Sequence, residues 1–173
     1  FTIEKDFISV IKDKEIDLFV NRIEIYNPLT SENLIKMSQK VTDVTKNILP
    51  NQNIDCVAYG CTSGTIAAGY NSIEKKVKLA KPEAKLTTPS TAAVKALKKL
   101  NIKKVSVFTP YIKDLNNEVI DFFKKENFVV TSNSYFDIKN DIDIGKVDSE
   151  YLFETLSQMD LKDADALFIS CTA

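Results

Sequence analysis

The chain has 173 residues, 44% of them hydrophobic, and its 23 basic and 24 acidic side chains give a net charge of −1. This length supports a core of ordinary size, in one domain or two small ones. The balanced charge gives no general attraction for nucleic acid or an anionic membrane, and no apolar run approaches the ~18 residues of a membrane span. We therefore expect no nucleic-acid partner, no membrane partner and a cytoplasmic location.

The sequence contains no histidine and three cysteines, Cys56, Cys61 and Cys171. The absence of histidine excludes Ser-His-Asp and Cys-His catalysis and most transition-metal sites. An odd number of cysteines fits thiols in a reducing compartment better than a disulfide framework, and three are too few for a structural zinc site. Proton chemistry must then use cysteine, tyrosine, lysine or carboxylates, and we expect no metal.

Short apolar runs alternate with helical patterns along the chain. In chain order we predict a strand at 16–23, a turn at Asn27-Pro28, a helix from Thr30 or Ser31 to Pro50, a strand at 54–59, a helix at 65–80, a strand at 84–88, a helix capped by Ser90, a strand at 103–109, a helix at 112–126, a strand at 128–135, a helix opened by Ser149 and a buried strand at 164–170.

Strands that are almost continuously apolar and separated by helices are typical of parallel sheets with helical crossovers. The sequence therefore predicts a doubly wound α/β fold. The stretch from Lys99 to Lys103 is the expected passage between two lobes, 1–100 and 101–173.

Two segments repeat one pattern, DCVAYGCT at 55–62 and DALFISCT at 165–172. Each runs from an aspartate through an apolar strand to Cys-Thr, with the same separation between aspartate and cysteine. Because ligands bind beyond the carboxyl ends of parallel strands, Cys61 and Cys171 are predicted at the mouth of a crevice. If the two halves are pseudo-symmetric lobes, the two thiols face each other across one pocket.

Three of the four glycines lie between residues 60 and 69, around Cys61. A Thr-Ser-Gly sequence that follows a strand and opens a helix presents backbone N–H groups and two hydroxyls, which suits a carboxylate and favours a thiolate. We expect Gly60 and Gly64 to let the backbone approach a ligand. The alternative is that the glycines only form a tight turn and that Cys61 and Cys171 are small buried hydrophobes.

Three further patterns argue against other functions. Cys56 lies within a predicted strand, where we expect a small buried side chain. The glycine spacing matches neither nucleotide-binding motif. The acidic residues of DIKNDIDIGKVD, at 137–148, alternate as in a solvated strand or loop, so we do not expect them to bind a metal.

Four motifs in this order resemble the Asp/Glu racemase superfamily: VAYGCTSGT at 57–65, TPY at 109–111, NDIDIGKVD at 140–148 and DALFISCTA at 165–173. They are most similar to the branch that holds maleate cis-trans isomerase, arylmalonate decarboxylase and the ectoine-utilisation protein A, the last above all in YGCTSG and SCT. The resemblance implies two pseudo-symmetric Rossmann-like lobes with parallel sheets, an active site between them, and neither metal nor organic cofactor.

The resemblance also implies roles for seven residues. The expected catalytic residues are Cys61 and Cys171, and the expected substrate-binding residues are Thr62, Ser63, Tyr111, Asn140 and Thr172. Thr62, Ser63 and Thr172 would hold a substrate carboxylate, Tyr111 would orient the substrate, and Asn140 would hold a second carboxylate. From the residues alone, Tyr111 could equally end a strand in solvent and Asn140 could be an ordinary turn residue.

Members of the family open with a further strand and continue past the second cysteine, so the resemblance implies that the sequence is a fragment. Decarboxylase members keep only the second cysteine. Two cysteines therefore predict an isomerase or racemase acting on a small carboxylate, with amino-acid or ectoine breakdown as its setting. The alternatives are a decarboxylase of a malonate-type acid and a carboxylate-binding protein without turnover. Apolar faces on crossover helices could pair two chains as a homo-oligomer.

Overall fold

The computed structural model describes residues 2–171, which form five strands and nine helices. The strands are β1 (Cys56–Ala58), β2 (Lys85–Thr87), β3 (Lys104–Tyr111), β4 (Val129–Ile138) and β5 (Ala166–Ile169). The helices are α1 (Thr2–Ile11), α2 (Ser31–Ser38), α3 (Val41–Lys46), α4 (Thr62–Ala68), α5 (Tyr70–Ala80), α6 (Pro89–Lys99), α7 (Lys113–Lys125), α8 (Asp141–Ile144) and α9 (Ser149–Ser157). In this range no helix is both long and apolar enough to cross a bilayer.

The strands form two parallel sheets. β1 pairs with β2, and the second sheet has the order β4-β3-β5. The predicted α/β fold with parallel sheets is confirmed. A passage between lobes was expected from Lys99 to Lys103. Lys99 is the last residue of α6, and residues 100–103 connect that helix to β3, from the segment of the first sheet to that of the second.

The second sheet is organised around β3, whose residues from Val105 to Tyr111 are all buried. α7 packs against β3 and β4. It buries Leu115, Val119 and Phe123, which recur every fourth residue and therefore lie on one side of the helix. The Phe123 ring meets the Phe168 ring of β5 edge-on, at 4.7 Å between centroids. These contacts join α7 to all three strands of the second sheet.

The first sheet is covered by helices of the first half. Leu34, Met37 and Val41 are buried on α2 and α3, and Ile73 and Val77 on α5, at the spacing of a helix face. α4 packs against α2, α5, α6 and α7, and its first four residues are all buried. The short α4 therefore lies in the middle of the molecule, in contact with helices of both halves.

The strand predicted at 16–23 is wrong. Residues 16–26 form neither helix nor strand, and Phe19 and Val20 are 49% and 45% exposed. An apolar run becomes a strand only where another strand offers hydrogen bonds, and none of the described strands pairs with this segment. Helix α1, which precedes it, was not predicted.

Several boundaries also differ. The helix predicted up to Pro50 is two helices, α2 and α3, although its cap at Thr30 is confirmed by the Asn33 N–H bond to the hydroxyl. The helix predicted at 65–80 starts at Thr62 and is interrupted at Gly69, whose φ of 79° no ordinary helix residue adopts.

The later part of the chain shows three smaller differences. Thr88, not Ser90, caps α6, because the Thr88 hydroxyl accepts the Thr91 N–H at 3.3 Å and Pro89 takes the first helical position. The final strand is only partly buried, with Ile169 46% exposed. A short helix, α8, replaces the strand or loop expected in the acidic segment.

Candidate active site

The order β4-β3-β5 creates a topological switch point, because β4 is added on one side of β3 and β5 on the other. Ligand crevices in α/β sheets lie beyond the carboxyl ends of strands at such a point. Tyr111 is the last residue of β3, and Cys171 follows the last residue of β5 by two positions. The fold therefore brings a phenol and a thiol to the edge where a crevice is expected.

Cys61 is the N-cap residue of α4. Its backbone is extended (φ −123°, ψ 111°), and its sulfur accepts a hydrogen bond from the Gly64 N–H at 3.2 Å. A cap position usually holds an oxygen-bearing side chain, so the sulfur here satisfies an N–H group that the helix cannot. The Ser63 hydroxyl lies 3.9 Å from the same sulfur. The local structure thus fixes the thiol at the start of the helix.

Tyr111 is buried (1% exposed), and its phenolic oxygen accepts a hydrogen bond from the Ser170 hydroxyl at 3.2 Å. Burial raises the pKa of Tyr111 well above its ordinary value, and negative charge on Cys171 and Cys61 raises it further, while hydrogen bonds with Ser170 and Ser63 lower it. The phenol therefore stays protonated and lies within electrostatic reach of both cysteines.

The two cysteines also act on each other. Burial raises the pKa of Cys61; the hydrogen bonds from Gly64 and Ser63 lower it, and negative charge on Cys171 raises it. The expectation that the helix N-terminus leaves Cys61 with a lowered pKa is wrong, because desolvation outweighs the hydrogen bonds. Cys171, which is partly buried, has a φ of 90°, a backbone conformation that is rare outside glycine.

Of the remaining predicted substrate-binding residues, two lie beside Cys61 and one does not. Thr62 and Ser63 are buried in the first turn of α4, beside Cys61. Asn140 is exposed, precedes α8, and donates a hydrogen bond from its amide to the Asp143 carboxylate at 3.2 Å. Its described contacts are therefore with its own segment rather than with the cysteines. Thr172 lies outside the described residues.

The glycine-rich turn is explained by packing within the protein. A Cβ atom on Gly64 would lie 2.8 Å from the Cys61 sulfur, 2.8 Å from the Tyr59 hydroxyl oxygen and 2.9 Å from the Met37 methyl carbon. The space that we expected to admit a ligand beside Gly64 is thus occupied by side chains. Cys56, expected to be buried, opens β1 and is exposed, because the side chains of neighbouring strand residues point to opposite faces and Val57 takes the buried one.

Two residues near the thiols were missed by the sequence reasoning. Tyr59 is buried two positions before Cys61, and Ser170 is buried immediately before Cys171. Both lie inside the repeated strand-Cys-Thr segments, so the repeat itself was the signal that could have found them. Across residues 2–171 no group of three or more Cys, Asp or Glu side chains could hold a metal ion.

The chain is therefore an α/β protein with two parallel sheets, in each of which one strand is followed by a cysteine. The sequence model of one family, Amdase (arylmalonate decarboxylase), matches residues 27–173. This match covers most of the chain, and the protein belongs to that family.

Curated relatives are maleate isomerases. The maleate isomerase of Geobacillus stearothermophilus is 27% identical over 149 residues, which cover 82% of this chain and 59% of that protein. The chain therefore spans little more than half the length of this relative.

Solved structures share the fold. The maleate isomerase of Pseudomonas putida superposes with a TM-score of 0.87 at 21% identity, over 99% of this chain and 74% of that one. A cysteine-to-serine mutant of the Nocardia farcinica maleate cis-trans isomerase, with a covalently bound succinylcysteine intermediate, gives 0.84 at 17% identity and the same coverage.

Proposed function

We propose that the protein is a cofactor-independent cis-trans isomerase of a small dicarboxylate, with maleate as its first candidate substrate. The observation that carries this proposal is the nearness of both cysteines to the buried Tyr111 phenol: Ser170, the residue before Cys171, bonds to the phenolic oxygen at 3.2 Å, and negative charge on either cysteine raises the pKa of the phenol. The maleate isomerases among the relatives and the succinylcysteine of the Nocardia enzyme support it.

The reaction would begin with the Cys61 sulfur as a thiolate. It adds to one carbon of the cis double bond, a C–S bond forms, and the π electrons move to the neighbouring carbon, next to a carboxylate. Cys171 gives its proton to that carbon. The product of these two steps is a succinyl group on Cys61, in which the former double bond is a single bond and can rotate.

Reversal of the same steps after rotation gives the trans product. The Cys171 thiolate takes a proton back from the carbon next to the carboxylate, the electron pair reforms the double bond, and the C–S bond to Cys61 breaks. Atoms and charge balance, because Cys61 ends as a thiolate and Cys171 as a thiol. No external base, oxidant or reductant is required.

The charge that develops on the substrate carboxylate needs hydrogen-bond donors around it. The hydroxyls of Thr62 and Ser63 are buried beside Cys61, and the Tyr111 phenol lies near both thiols. We assign these three groups, together with Thr172, to one carboxylate in the manner of an oxyanion hole, and Asn140 to the second carboxylate.

The test uses the protein expressed from its complete reading frame and incubated with maleate in heavy water. Proton NMR would follow loss of the cis vinylic signal and growth of the trans one. We expect turnover in the wild type and in Cys56→Ala, which changes an exposed cysteine, and loss of turnover in Cys61→Ala and Cys171→Ala. Normal isomerisation by Cys61→Ala would refute the assignment of the nucleophile.

The family match favours one alternative, a decarboxylase of a malonate-type acid. That reaction needs only one proton donor, so Cys61→Ala would retain it and carbon dioxide would be released from an arylmalonate. A racemase of an amino acid, including one from ectoine breakdown, would instead exchange the proton next to the carboxylate with inversion. The same NMR experiment, run on a small panel of acids, separates the three reactions.

A further inference from the structure

Tyr59 carries the one buried side-chain oxygen or nitrogen in the described part of the chain that has no hydrogen-bond partner. The residue is 8% exposed and follows β1, where its backbone N–H bonds to the Thr87 carbonyl at 3.0 Å. Buried hydroxyls almost always have a partner, because an unpaired one has lost its bonds to water and gained nothing. The orphaned phenol therefore needs an explanation.

The Tyr59 hydroxyl lies close to the thiol of Cys61. Both the Tyr59 oxygen and the Cys61 sulfur lie 2.8 Å from the point where a Cβ of Gly64 would stand, so they are separated by no more than twice that distance. The Met37 methyl group, 2.9 Å from the same point, closes this space with an apolar surface. Burial, and then negative charge on Cys61, raise the pKa of Tyr59 far above its ordinary value, so the phenol keeps its proton as a donor.

A neutral thiol is a weak hydrogen-bond acceptor, whereas a thiolate is a strong one. The Tyr59 hydroxyl, which has no partner beside the neutral thiol, thus gains an acceptor when Cys61 loses its proton. The titratable groups that face Cys61 are Tyr59 after β1, Tyr111 at the end of β3 and Cys171 after β5, alongside the Gly64 N–H and the Ser63 hydroxyl. The Tyr111 phenolic oxygen already accepts a hydrogen bond from the Ser170 hydroxyl, whereas the Tyr59 hydroxyl has no hydrogen-bond partner.

We propose that Tyr59 is a positioning residue that donates a hydrogen bond from its hydroxyl to the Cys61 sulfur when that sulfur is a thiolate. It would hold the thiolate at the start of α4 and offset the desolvation that opposes ionisation. Its consequence for turnover rests on the proposed function, in which Cys61 is the nucleophile. The hydrogen bond itself does not.

The test measures ionisation of Cys61 directly, in the protein from its complete reading frame. Alkylation by iodoacetamide is followed over a pH series, and mass spectrometry reads the modified fraction at Cys61 separately from the other cysteines. In Tyr59→Phe we expect the midpoint for Cys61 to rise by about one pH unit, a tenfold smaller thiolate fraction below it, since a donor to the charged form is lost. Resistance to urea should be kept or increased, because the variant removes an unpaired buried hydroxyl.

The matched control is Tyr70→Phe, whose hydroxyl donates to the Leu86 carbonyl at 3.2 Å and should leave the Cys61 midpoint unchanged. A second probe replaces Tyr59 by 3-fluorotyrosine, a stronger donor, and should lower the midpoint. An unchanged midpoint in both Tyr59 variants would overturn the proposal. A shifted midpoint in a protein that isomerises nothing would keep it and refute the proposed function instead.

Discussion

The hydroxyl of Ser170 donates a hydrogen bond to the phenolic oxygen of Tyr111 at 3.2 Å, and so joins the end of β5 to the end of β3. Both residues are buried, at 4% and 1% exposure, and the Ser170 N–H extends the strand pairing by bonding to the Phe108 carbonyl at 2.8 Å. Because the phenolic oxygen is the acceptor in this bond, the hydrogen of Tyr111 remains available to a second acceptor. In the proposed reaction that acceptor is the substrate carboxylate or a thiolate.

Tyr111→Phe should therefore lower kcat/KM for isomerisation by about 10- to 100-fold, the worth of one hydrogen bond to a charged group. Steady-state kinetics with maleate would measure this. The control is Tyr135→Phe, a 38% exposed tyrosine on β4, which should behave as wild type. Equal kinetics in the two variants would show that Tyr111 has no part in the reaction.

Gly64→Ala should unfold more easily than the wild type, by about 1–3 kcal/mol in free energy of unfolding, because its methyl group would meet three side-chain atoms at under 3 Å. Gly145→Ala provides the matched control. Its nearest neighbours lie at 3.6 and 3.8 Å and its φ is −67°, so the change should be close to neutral. Urea denaturation measures both, and equal stability would show that the turn around Gly64 relaxes without cost.

The parts of the fold that the sequence could predict are those with local causes. β3 is a short run rich in apolar and β-branched residues, and α7 repeats apolar residues at the period of a helix, so each pattern favours one structure. Residues 16–23 have the same composition as a strand but pair with no described strand, and pairing is a property of the sheet rather than of the segment. The interruption at Gly69 depends on a single φ angle that helix periodicity does not encode.

In the candidate site, too, the features with local causes could be predicted and those that depend on distant segments could not. The repeated Asp-strand-Cys-Thr pattern was enough to select Cys61 and Cys171, because strand ends in parallel sheets meet at one edge. The sign of the Cys61 pKa shift could not be predicted, since it depends on how much of the thiol is buried by distant segments. The environment of the Tyr59 hydroxyl could not be predicted either, since it is formed by Met37 of α2 and Gly64 of α4.

The carboxylate of Asp165 should make the stability of the folded protein depend on pH in the acidic range. This carboxylate accepts the N–H groups of Lys104 at 2.8 Å and Lys103 at 3.0 Å, and these bonds lower the pKa of Asp165 below its ordinary value of 3.8. A lowered folded-state pKa contributes stability above the unfolded value, and this contribution is lost as the pH falls toward the folded value. Asp165→Asn should thus lower the urea midpoint at about pH 7, with a smaller difference at about pH 3.

The control for Asp165 is the equivalent position of the repeat, Asp55. Asp55 is exposed, and its hydrogen bond to the Lys85 N–H uses the backbone carbonyl, which Asn keeps. Asp55→Asn should therefore unfold like the wild type at both pH values. A pH-independent difference between Asp165→Asn and the wild type would contradict the assignment to the carboxylate.

Lys81 should stabilise the turn that leads into β1. The residue is only 6% exposed, and its ammonium group donates hydrogen bonds to the carbonyls of Leu49 at 2.8 Å and Gln52 at 2.7 Å. Lys81→Met keeps most of the apolar stem but leaves both carbonyls without this donor, so we expect a loss of about 1–3 kcal/mol in free energy of unfolding by urea. Lys78→Met, which removes an exposed lysine bonded to the Pro82 carbonyl, should change stability by no more than about 0.5 kcal/mol. If both variants lost the same stability, the burial of Lys81 would have no bearing on its role.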